Sequence, residues 1–543
     1  MANSPLSNTV TQLSFSILID GKEIKEDYWV EKITIEKEIG KVSKAKIVFI
    51  DGDPAKNNFP ISDSSDLVPG KTIKIKLGYD SKETDAFDGV ITSQRIKAIN
   101  YEHKNVSQLV VTCQDKAFKL GIVTKTVNFK DKKDSEIISS IISSHGLSKT
   151  VAATTFKHPN MVQYNVSDWD FILDRAKANG MIVTCDAGKL EISAPASSGT
   201  AVLDLDYGSN IISIDAEMRS DSQLKGATYQ AWSSSTQKIA KGVGAEASTP
   251  AHGNIKSSAL FKDTGKPELL ISTSTAEDAS VLKSMADSEM LFSRFSKIKG
   301  TVSFVGSTKP IPGKLIKLDG FGARFNGTAF ISGVSHEVKG GFWKTIVKIG
   351  LEYNTLANTY LNQKNKALGK VHALPGLHIG KVKKIDKDPD GEFRVLVDVP
   401  VIKESGDGIW ARIVSPYSSK SIGFYFYPEV GDEVILGFLG NDPRYAIIVG
   451  SVYSKKNPPP NTPENKNELK SIVTKSKMKI DFQEKDKIIS METPGGQKIT
   501  LDDKAKAVKI EDQNKNLISM TDKGITMQSG KDIVLKAKGK ITV

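Results

Sequence analysis

Two cysteines in 543 residues, Cys113 and Cys185, are too few for a disulfide framework and cannot build a cysteine-based zinc site. No run approaches the ~18 uninterrupted apolar residues of a membrane-spanning helix. The first residues, Met1-Ala-Asn-Ser-Pro-Leu-Ser7, lack the basic and apolar regions of a secretory leader. Synthesis and folding in a reducing cytosol, without a signal peptide, are therefore expected. Arginine is missing from residue 466 onward, where 17 lysines face 11 acids. Arginine is the side chain that reads phosphate with a planar fork. Despite a net charge of +12, that stretch reads as a solvated lysine surface rather than a nucleic-acid face.

What is present is mostly strand. At roughly 100–200 residues per domain, the length allows about three to five domains. Leu13–Ile17, Lys46–Ile50, Ile73–Leu77 and Gln108–Cys113 alternate or run apolar, and turn signals such as Asp51-Gly-Asp-Pro54, Pro69-Gly70 and Asp88-Gly89 separate them. Three helices interrupt. Asp134 is placed as the cap of a helix carrying Ile137, Ile138, Ile141 and Ile142 that stops at Gly146. Ser167 and Asp170 open a second in capping-box fashion, ending at Asn179-Gly180. Thr275 and Asp278 open a third, with Val281, Leu282, Met285 and Phe292. Residues 233–258 read as a long polar loop, and their Gly242-Val-Gly244 is not a phosphate loop. Strands resume at Thr301–Val305, Leu315–Leu318, Phe330-Ile331 and Thr345–Ile349. From Pro375-Gly376, five short strands in about 75 residues fit a small OB-type barrel. A Pro- and Asn-rich linker follows.

The tail carries a repeat. Apolar pairs two residues apart recur at Ile489/Met491, Ile499/Leu501, Val508/Ile510, Ile518/Met520, Ile525/Met527, Ile533/Leu535 and Ile541/Val543. Their first members are spaced 10, 9, 10, 7, 8 and 8 residues apart. One short strand per repeat gives a lone chain too little interior and leaves its strand edges unpaired. Three chains closing into a triangular prism, each contributing one strand per face, solve both problems. A two-chain or single-chain solenoid is the structural alternative.

No catalytic constellation emerges. Asp386-Lys-Asp388-Pro-Asp390-Gly391 has the acids of a calcium loop, but its twelfth position is Val397, so a hairpin turn is expected. His336-Glu337 has Gly340 where a zinc-protease helix needs its second histidine. The histidines at 103, 145, 158, 252, 336, 372 and 378 are scattered, and the two cysteines read as buried apolar residues. No cofactor and no metal site are expected.

Two stretches resemble a known family. Trp410-Ala-Arg-Ile-Val-Ser-Pro-Tyr417, Gly423-Phe-Tyr-Phe-Tyr-Pro-Glu-Val-Gly-Asp-Glu-Val434, Gly440-Asn-Asp-Pro-Arg444, Gly450-Ser-Val-Tyr453 and Pro458-Pro-Pro460 resemble the OB region of VgrG-type spike proteins. Ser167-Asp-Trp-Asp-Phe-Ile-Leu-Asp-Arg-Ala-Lys-Ala-Asn-Gly180 is similar to the hub of the same family. The resemblance implies a mainly β chain with two tandem hub β-barrels, residues 1–200 (with a helical insertion) and 201–370. An OB-fold barrel at 371–455, a linker at 456–470 and a trimeric intertwined β-helix needle at 471–543 follow. In that family the motif Pro428, Glu429, Val430, Gly431, Asp432, Glu433 is a structural turn.

The resemblance also implies a non-enzymatic homotrimer on the axis of a contractile injection machine, joining a sixfold inner tube to a threefold envelope-piercing needle. Needle-core residues would be Ile499, Leu501, Val508, Ile510, Ile518, Met520, Ile525, Met527, Ile533 and Leu535. Ile541 and Val543 would meet a PAAR-type tip protein. Other expected partners are an inner tube ring and baseplate proteins, with transient contact with the target membrane and no nucleic acid. The plain ending looks closer to spikes of extracellular particles of the antifeeding prophage and Photorhabdus virulence cassette type than to type VI secretion tips or phage baseplate hubs. Incorporation into an injection particle, then release outside the cell or delivery across the envelope on firing, is the expected fate. Two other classes compete with this reading. They are an OB-fold nucleic-acid binder using Phe424–Tyr427, half of which should be core, and a murein hydrolase, for which no inserted domain is seen.

Overall fold

The computed structural model describes residues 4, 12–53, 56–101, 104–233, 238–262, 264–265, 267–273, 277–353, 366–367, 371–402 and 407–542. The chain divides into two compact units, Met1–Ser451 and Val452–Val543.

In the first unit, β-branched residues alternate with lysines along strands such as Thr72–Tyr79, burying Ile73, Ile75 and Leu77 on one face. Repetition of this pattern builds a thirteen-stranded sheet. The two hub segments meet within it: Gly327–Lys339 pairs antiparallel with Val30–Glu38, setting Val338 opposite Ile33 and His336 opposite Ile35. Val338 and Trp343 of the second segment pack into the core formed by Ile33, Ile47, Phe49, Ile75 and Val111 of the first. The hub is thus one continuous sheet across residue 200. Pairing a strand from each segment covers an edge that either segment alone would leave open.

The helices are α1 (Asp134–Ser144), α2 (Asp168–Ala178), the short α3 (Ser257–Leu260) and α4 (Ala279–Phe295). Ser167 caps α2 by accepting the Asp170 amide at 3.1 Å, and Gly180 takes the left-handed conformation just beyond its end. Asp278 caps α4, accepting the Ser280 amide at 2.8 Å, while Thr275 lies outside the described residues. Asp134 is not a cap. Lys133 holds the cap position of α1, and the Asp134 carboxylate is buried in the first turn. There it accepts Arg175 Nε at 2.7 Å, Arg175 Nη2 at 2.8 Å and Asn179 Nδ2 at 2.8 Å, with His158 Nε2 at 3.2 Å. The sequence places an acid one residue before Ser-Glu, which mimics a cap, but the fold uses it to neutralise a buried guanidinium.

Residues 233–258 also depart from the loop expectation. Lys238–Val243 is a strand, paired antiparallel with Gly226–Ser233 and packed beneath α4. A Cβ at Gly242 would come within 2.1 Å of the Lys283 backbone nitrogen, and one at Gly244 within 2.6 Å of the Ala286 carbonyl. These glycines mark a close strand–helix crossing. Their polar, small composition hid the strand.

The OB barrel closes from His378–Lys384, Val395–Asp398, Ile409–Ile413, Ala446–Ser451 and Glu433–Phe438. Its core of Val382, Val397, Ile409, Val434 and Leu436 also takes Val162 from the hub strand Lys157–Ser167. Arg444 ties the same two regions. Its side chain is buried, bonds Asp442 Oδ2 at 2.7 Å, and pairs with Glu277, just before α4. Two acids on one desolvated arginine hold its pKa well above the ordinary value even though burial alone would lower it.

Burial alone would raise the Asp134 pKa, but the attraction of Arg175 and the hydrogen bonds from His158 and Arg175 outweigh it and hold the carboxyl well below its ordinary value of 3.8. Its contribution is therefore fully present above pH 3.8 and is lost as pH falls below that value. Asp134→Asn leaves Arg175 buried without its counter-charge and should cost about 3–5 kcal/mol in urea unfolding of the hub at pH 7. The gap between variant and wild type should shrink in acid. An unchanged midpoint at pH 7 would contradict the role given to this pair.

Candidate assembly surface

The second unit is a single seven-stranded antiparallel meander. Its strands are Leu469–Val473, Lys479–Gln483, Ile488–Glu492, Lys498–Asp502, Ala507–Glu511, Leu517–Thr521 and Gly524–Gln528. Each is five residues long because the sequence supplies one apolar pair and then a turn. The turns place Lys477, Lys487, Gly496, Lys506, Lys515 and Gly524 in the left-handed conformation at nine- to ten-residue intervals. Asp512 builds one such turn, accepting the amides of Asn514 at 2.9 Å and Asn516 at 2.8 Å. Those bonds, led by the Asn516 amide, lower its pKa.

Register aligns the apolar pairs into two ladders. One runs Ile472, Ile480, Met491, Ile499, Ile510, Ile518, Met527; the other runs Phe482, Ile489, Leu501, Val508, Met520, Ile525. Between them, on the opposite face, lie Ser471, Asp481, Ser490, Thr500, Lys509, Ser519 and Thr526. Among the described residues of this unit nothing roofs the ladders: Ile499 is 42% exposed, Leu501 43%, Ile510 45% and Met527 56%. Ladder residues Met491, Ile499, Ile510, Ile518 and Met527, with Ile533, line an open groove of about 680 Å³. A largely wet apolar face on one sheet marks an association surface.

The structure departs here from one strand per face. Over residues 469–528 each strand pairs with its sequence neighbour, so one chain supplies one whole wall. Reversing turns keep it in one sheet. Beyond Gln528, the described residues contain no strand, so Ile533, Leu535 and Ile541 stand exposed and unladdered. A strand needs a bonded neighbour, and the single chain supplies none there. Val543 lies outside the described residues.

The family-motif residues fall where the barrel turns into Glu433–Phe438. Gly431 is left-handed (φ 98°), its amide donates to the Val382 carbonyl at 2.8 Å, and the Asp432 carboxylate accepts the Glu429 amide at 2.9 Å. Pro428 and Val430 flank the turn, with Val430 exposed. The remaining motif candidates are structural. Asp388 accepts the amides of Asp390, Glu392 and Arg394 and the Arg394 guanidinium; these bonds overcome burial and hold its pKa near 2. His336 sits in a strand against Thr345 Oγ1 at 3.1 Å, and burial, with Lys37 nearby, lowers its pKa to about 3. His145 lies 2.7 Å from Asp168, beside Lys125. Both cysteines are buried, and burial pushes the Cys113 thiol up to about 12.

A family model described as the Alg8 N-terminal domain matches residues 9–340, more than half of the chain, and the chain belongs to that family. The type VI secretion system/phage-baseplate injector OB domain matches residues 378–453, and the phage baseplate V C-terminal trimerisation domain matches residues 488–543. In these modules the chain resembles VgrG-type spike proteins. The Francisella PdpA–VgrG complex, in its lidded form, is similar in fold, with a TM-score of 0.57 at 10% identity over 96% of this chain and 81% of that one. The lidless form gives 0.53 at 10% identity over 95% and 98%. The actin cross-linking toxin VgrG1 of Vibrio cholerae is 41% identical over 58 residues, 10% of this chain and 5% of that protein's length.

Substituting Ile510 by Asp puts a charge in the middle of the wall, opposite Ile499 and Ile518. Ile510→Asp should abolish self-association in sedimentation runs, whereas Lys509→Asp, one residue away on the other face, should leave it intact. Equal behaviour of the two variants would contradict the assignment of the wall.

Proposed function

We propose that this chain is the homotrimeric, non-enzymatic central spike of a contractile injection system, of the extracellular phage-tail-like type. The observation that carries the reading is the unroofed double ladder. Three walls, one per chain, close into a prism with every ladder inside and every lysine-rich turn outside. Seven strands at about 4.8 Å give a prism roughly 30 Å long. Past residue 528, where the repeat shortens to eight residues, the three chains pair with one another rather than with themselves. The match of residues 488–543 to a trimerisation domain supports this closure.

The mechanism is mechanical. The hub seats the inner tube on a baseplate, and sheath contraction drives tube and spike through an envelope. A rod whose apolar interior is shared by three chains cannot lose one chain without wetting the other two, which gives it stiffness. The exposed Ile541 end receives a PAAR-type cap. In the hub and OB barrel, the buried Asp134–Arg175 and Arg444–Glu277–Asp442 pairs serve packing, which fits a load-bearing part rather than an enzyme. The OB barrel supports the same choice over nucleic acid: residues 371–451 hold nine basic and eleven acidic side chains. A tip of a type VI secretion system is the second reading, favoured by the description of the matching OB domain.

Analytical ultracentrifugation of the full chain should give three times the 59.0 kDa chain mass. A monomer at micromolar concentration would overturn the proposal. Electron microscopy of the producing culture separates the two systems: free sheathed tubes in the medium fit the extracellular particle, and machines held in the cell envelope contradict it.

A further inference from the structure

The OB barrel carries an aromatic surface on two loops, residues 385–394 and 414–432. Exposure is 53% at Tyr417, 60% at Ile422, 59% at Phe424, 83% at Tyr425, 65% at Phe426 and 81% at Phe393. Of the run Phe424–Tyr427, Tyr427 alone packs against the barrel core, so the expectation that half of it would be core fails. At about 200 Å² per large side chain, weighted by exposure, the six expose roughly 700–800 Å². That exceeds the ~300–600 Å² of the largest patch on an ordinary monomer.

Hydrogen bonds tie the two loops together. The Tyr427 hydroxyl donates to the Phe393 carbonyl at 2.9 Å, joining one loop to the other, and the Tyr425 and Tyr427 rings lie 5.1 Å apart. The Phe424 amide donates to the Tyr417 carbonyl at 2.9 Å, and Ser415 Oγ donates to the Phe424 carbonyl at 3.1 Å. On the other loop, Asp388 gathers three amides and the Arg394 guanidinium. Phe393, next to Arg394, takes φ 59°, a left-handed conformation uncommon for a bulky side chain. Among the described residues, no cation lies over the ring of Phe393, Phe424, Tyr425 or Phe426. Their faces are open.

The same loops are acidic. They carry six acids, Asp386, Asp388, Asp390, Glu392, Glu429 and Asp432, against three bases, Lys387, Arg394 and Lys420. Arg394 is held by Asp388 and Asp390, and its side chain is 18% exposed. The side chains of Asp386 and Asp390 are 64% and 62% exposed. Even with Lys384, which reaches Asp386 at 3.9 Å from the neighbouring strand, acids exceed bases. The chain as a whole carries +12, so this surface is an acidic island on a basic protein.

Charge selects the occupant. A second copy of the same surface would set like charges face to face, and the phosphates of lipid or nucleic acid would be repelled. A guanidinium suits both features at once. Its plane stacks on aromatic faces and its fork pairs with carboxylates, whereas an ammonium is a compact, strongly hydrated point charge.

We propose that this surface is a docking site for an arginine-rich segment of a different protein. The guanidinium groups lie on the rings of Phe393, Tyr425 and Phe426, with Asp386 and Asp390 at the rim. Both loops belong to one chain, so the site does not depend on the trimeric reading.

The test titrates short fluorescein-labelled peptides of repeating Gly-Arg, Gly-Lys or Gly-Glu with the full-length protein and follows anisotropy at physiological ionic strength. The Gly-Arg peptide should bind, the Gly-Lys peptide more weakly and the Gly-Glu peptide not at all. Tyr425→Ser combined with Phe426→Ser should weaken the Gly-Arg peptide by about tenfold. Asp386→Asn should weaken it by about two- to threefold. The exchanged side chains are exposed, and an unmoved thermal melt confirms that the variants fold. Three results would overturn the proposal: no binding of the Gly-Arg peptide, equal binding of the Gly-Lys or Gly-Glu peptide, or binding that the double serine variant leaves unchanged. Binding that appears only once Ile510→Asp has broken the ladder would mean that copies of the chain cover the surface, and would overturn it too. A wild-type chain that sediments as a monomer yet binds the Gly-Arg peptide through Tyr425 and Phe426 would contradict the trimeric reading and support this site.

Discussion

A sheet with one apolar face and nothing to lay on it is the constraint on which the rest depends. The tail's ten exposed ladder side chains, Ile472 to Met527, lie on seven short strands with no second layer among the described residues of this unit. Covering them gains roughly 1 kcal/mol each from half exposure, about 10 kcal/mol per chain, which is the scale of a whole domain's stability. The physics therefore asks for more chains. Each chain supplies one wall, and the proposed threefold prism would turn every ladder inward.

The first unit solves a different problem. Its core is ample, and its buried charges are matched in pairs that cross between elements: Asp134 of α1 with Arg175 of α2, Arg444 of the OB barrel with Glu277 ahead of α4. Each pair would be costly to break. Hub and barrel also share side chains, with Val162 in the barrel core and Val338 and Trp343 in the first hub segment's core. With such shared cores, no single element can slide without exposing another.

Much of this was legible from residue pattern. Period-two alternation located most hub strands, and Ser167 with Asp170 located α2, since those signals act within a few residues. The tail was legible for the same reason: the pair spacing is the strand period plus a turn. What the pattern missed depends on distant residues. Asp134 looks like a cap locally, and only the fold brings Arg175 to it. Residues 238–243 look like loop because their glycines serve a crossing with α4 that lies some forty residues on. Whether a tail strand pairs with its own chain or with another is not a property of the strand. The nine- and ten-residue spacings and the seven-residue step from Ile518 to Ile525 form a meander in one chain, whereas the eight-residue spacings after Ile525, similar in sequence, do not. The aromatic run at 424–427 likewise reads as half core by alternation, and its exposure follows from lying in a loop rather than a strand.

A cryo-EM map of the full-length protein, at a resolution that shows side chains, tests the central claim most directly. The account predicts three copies of the seven-stranded wall around one axis, with Ile499, Ile510 and Ile518 pointing inward and the lysine turns outside. A map with the ladders facing solvent, or with the wall covered by another part of the same chain, would contradict it.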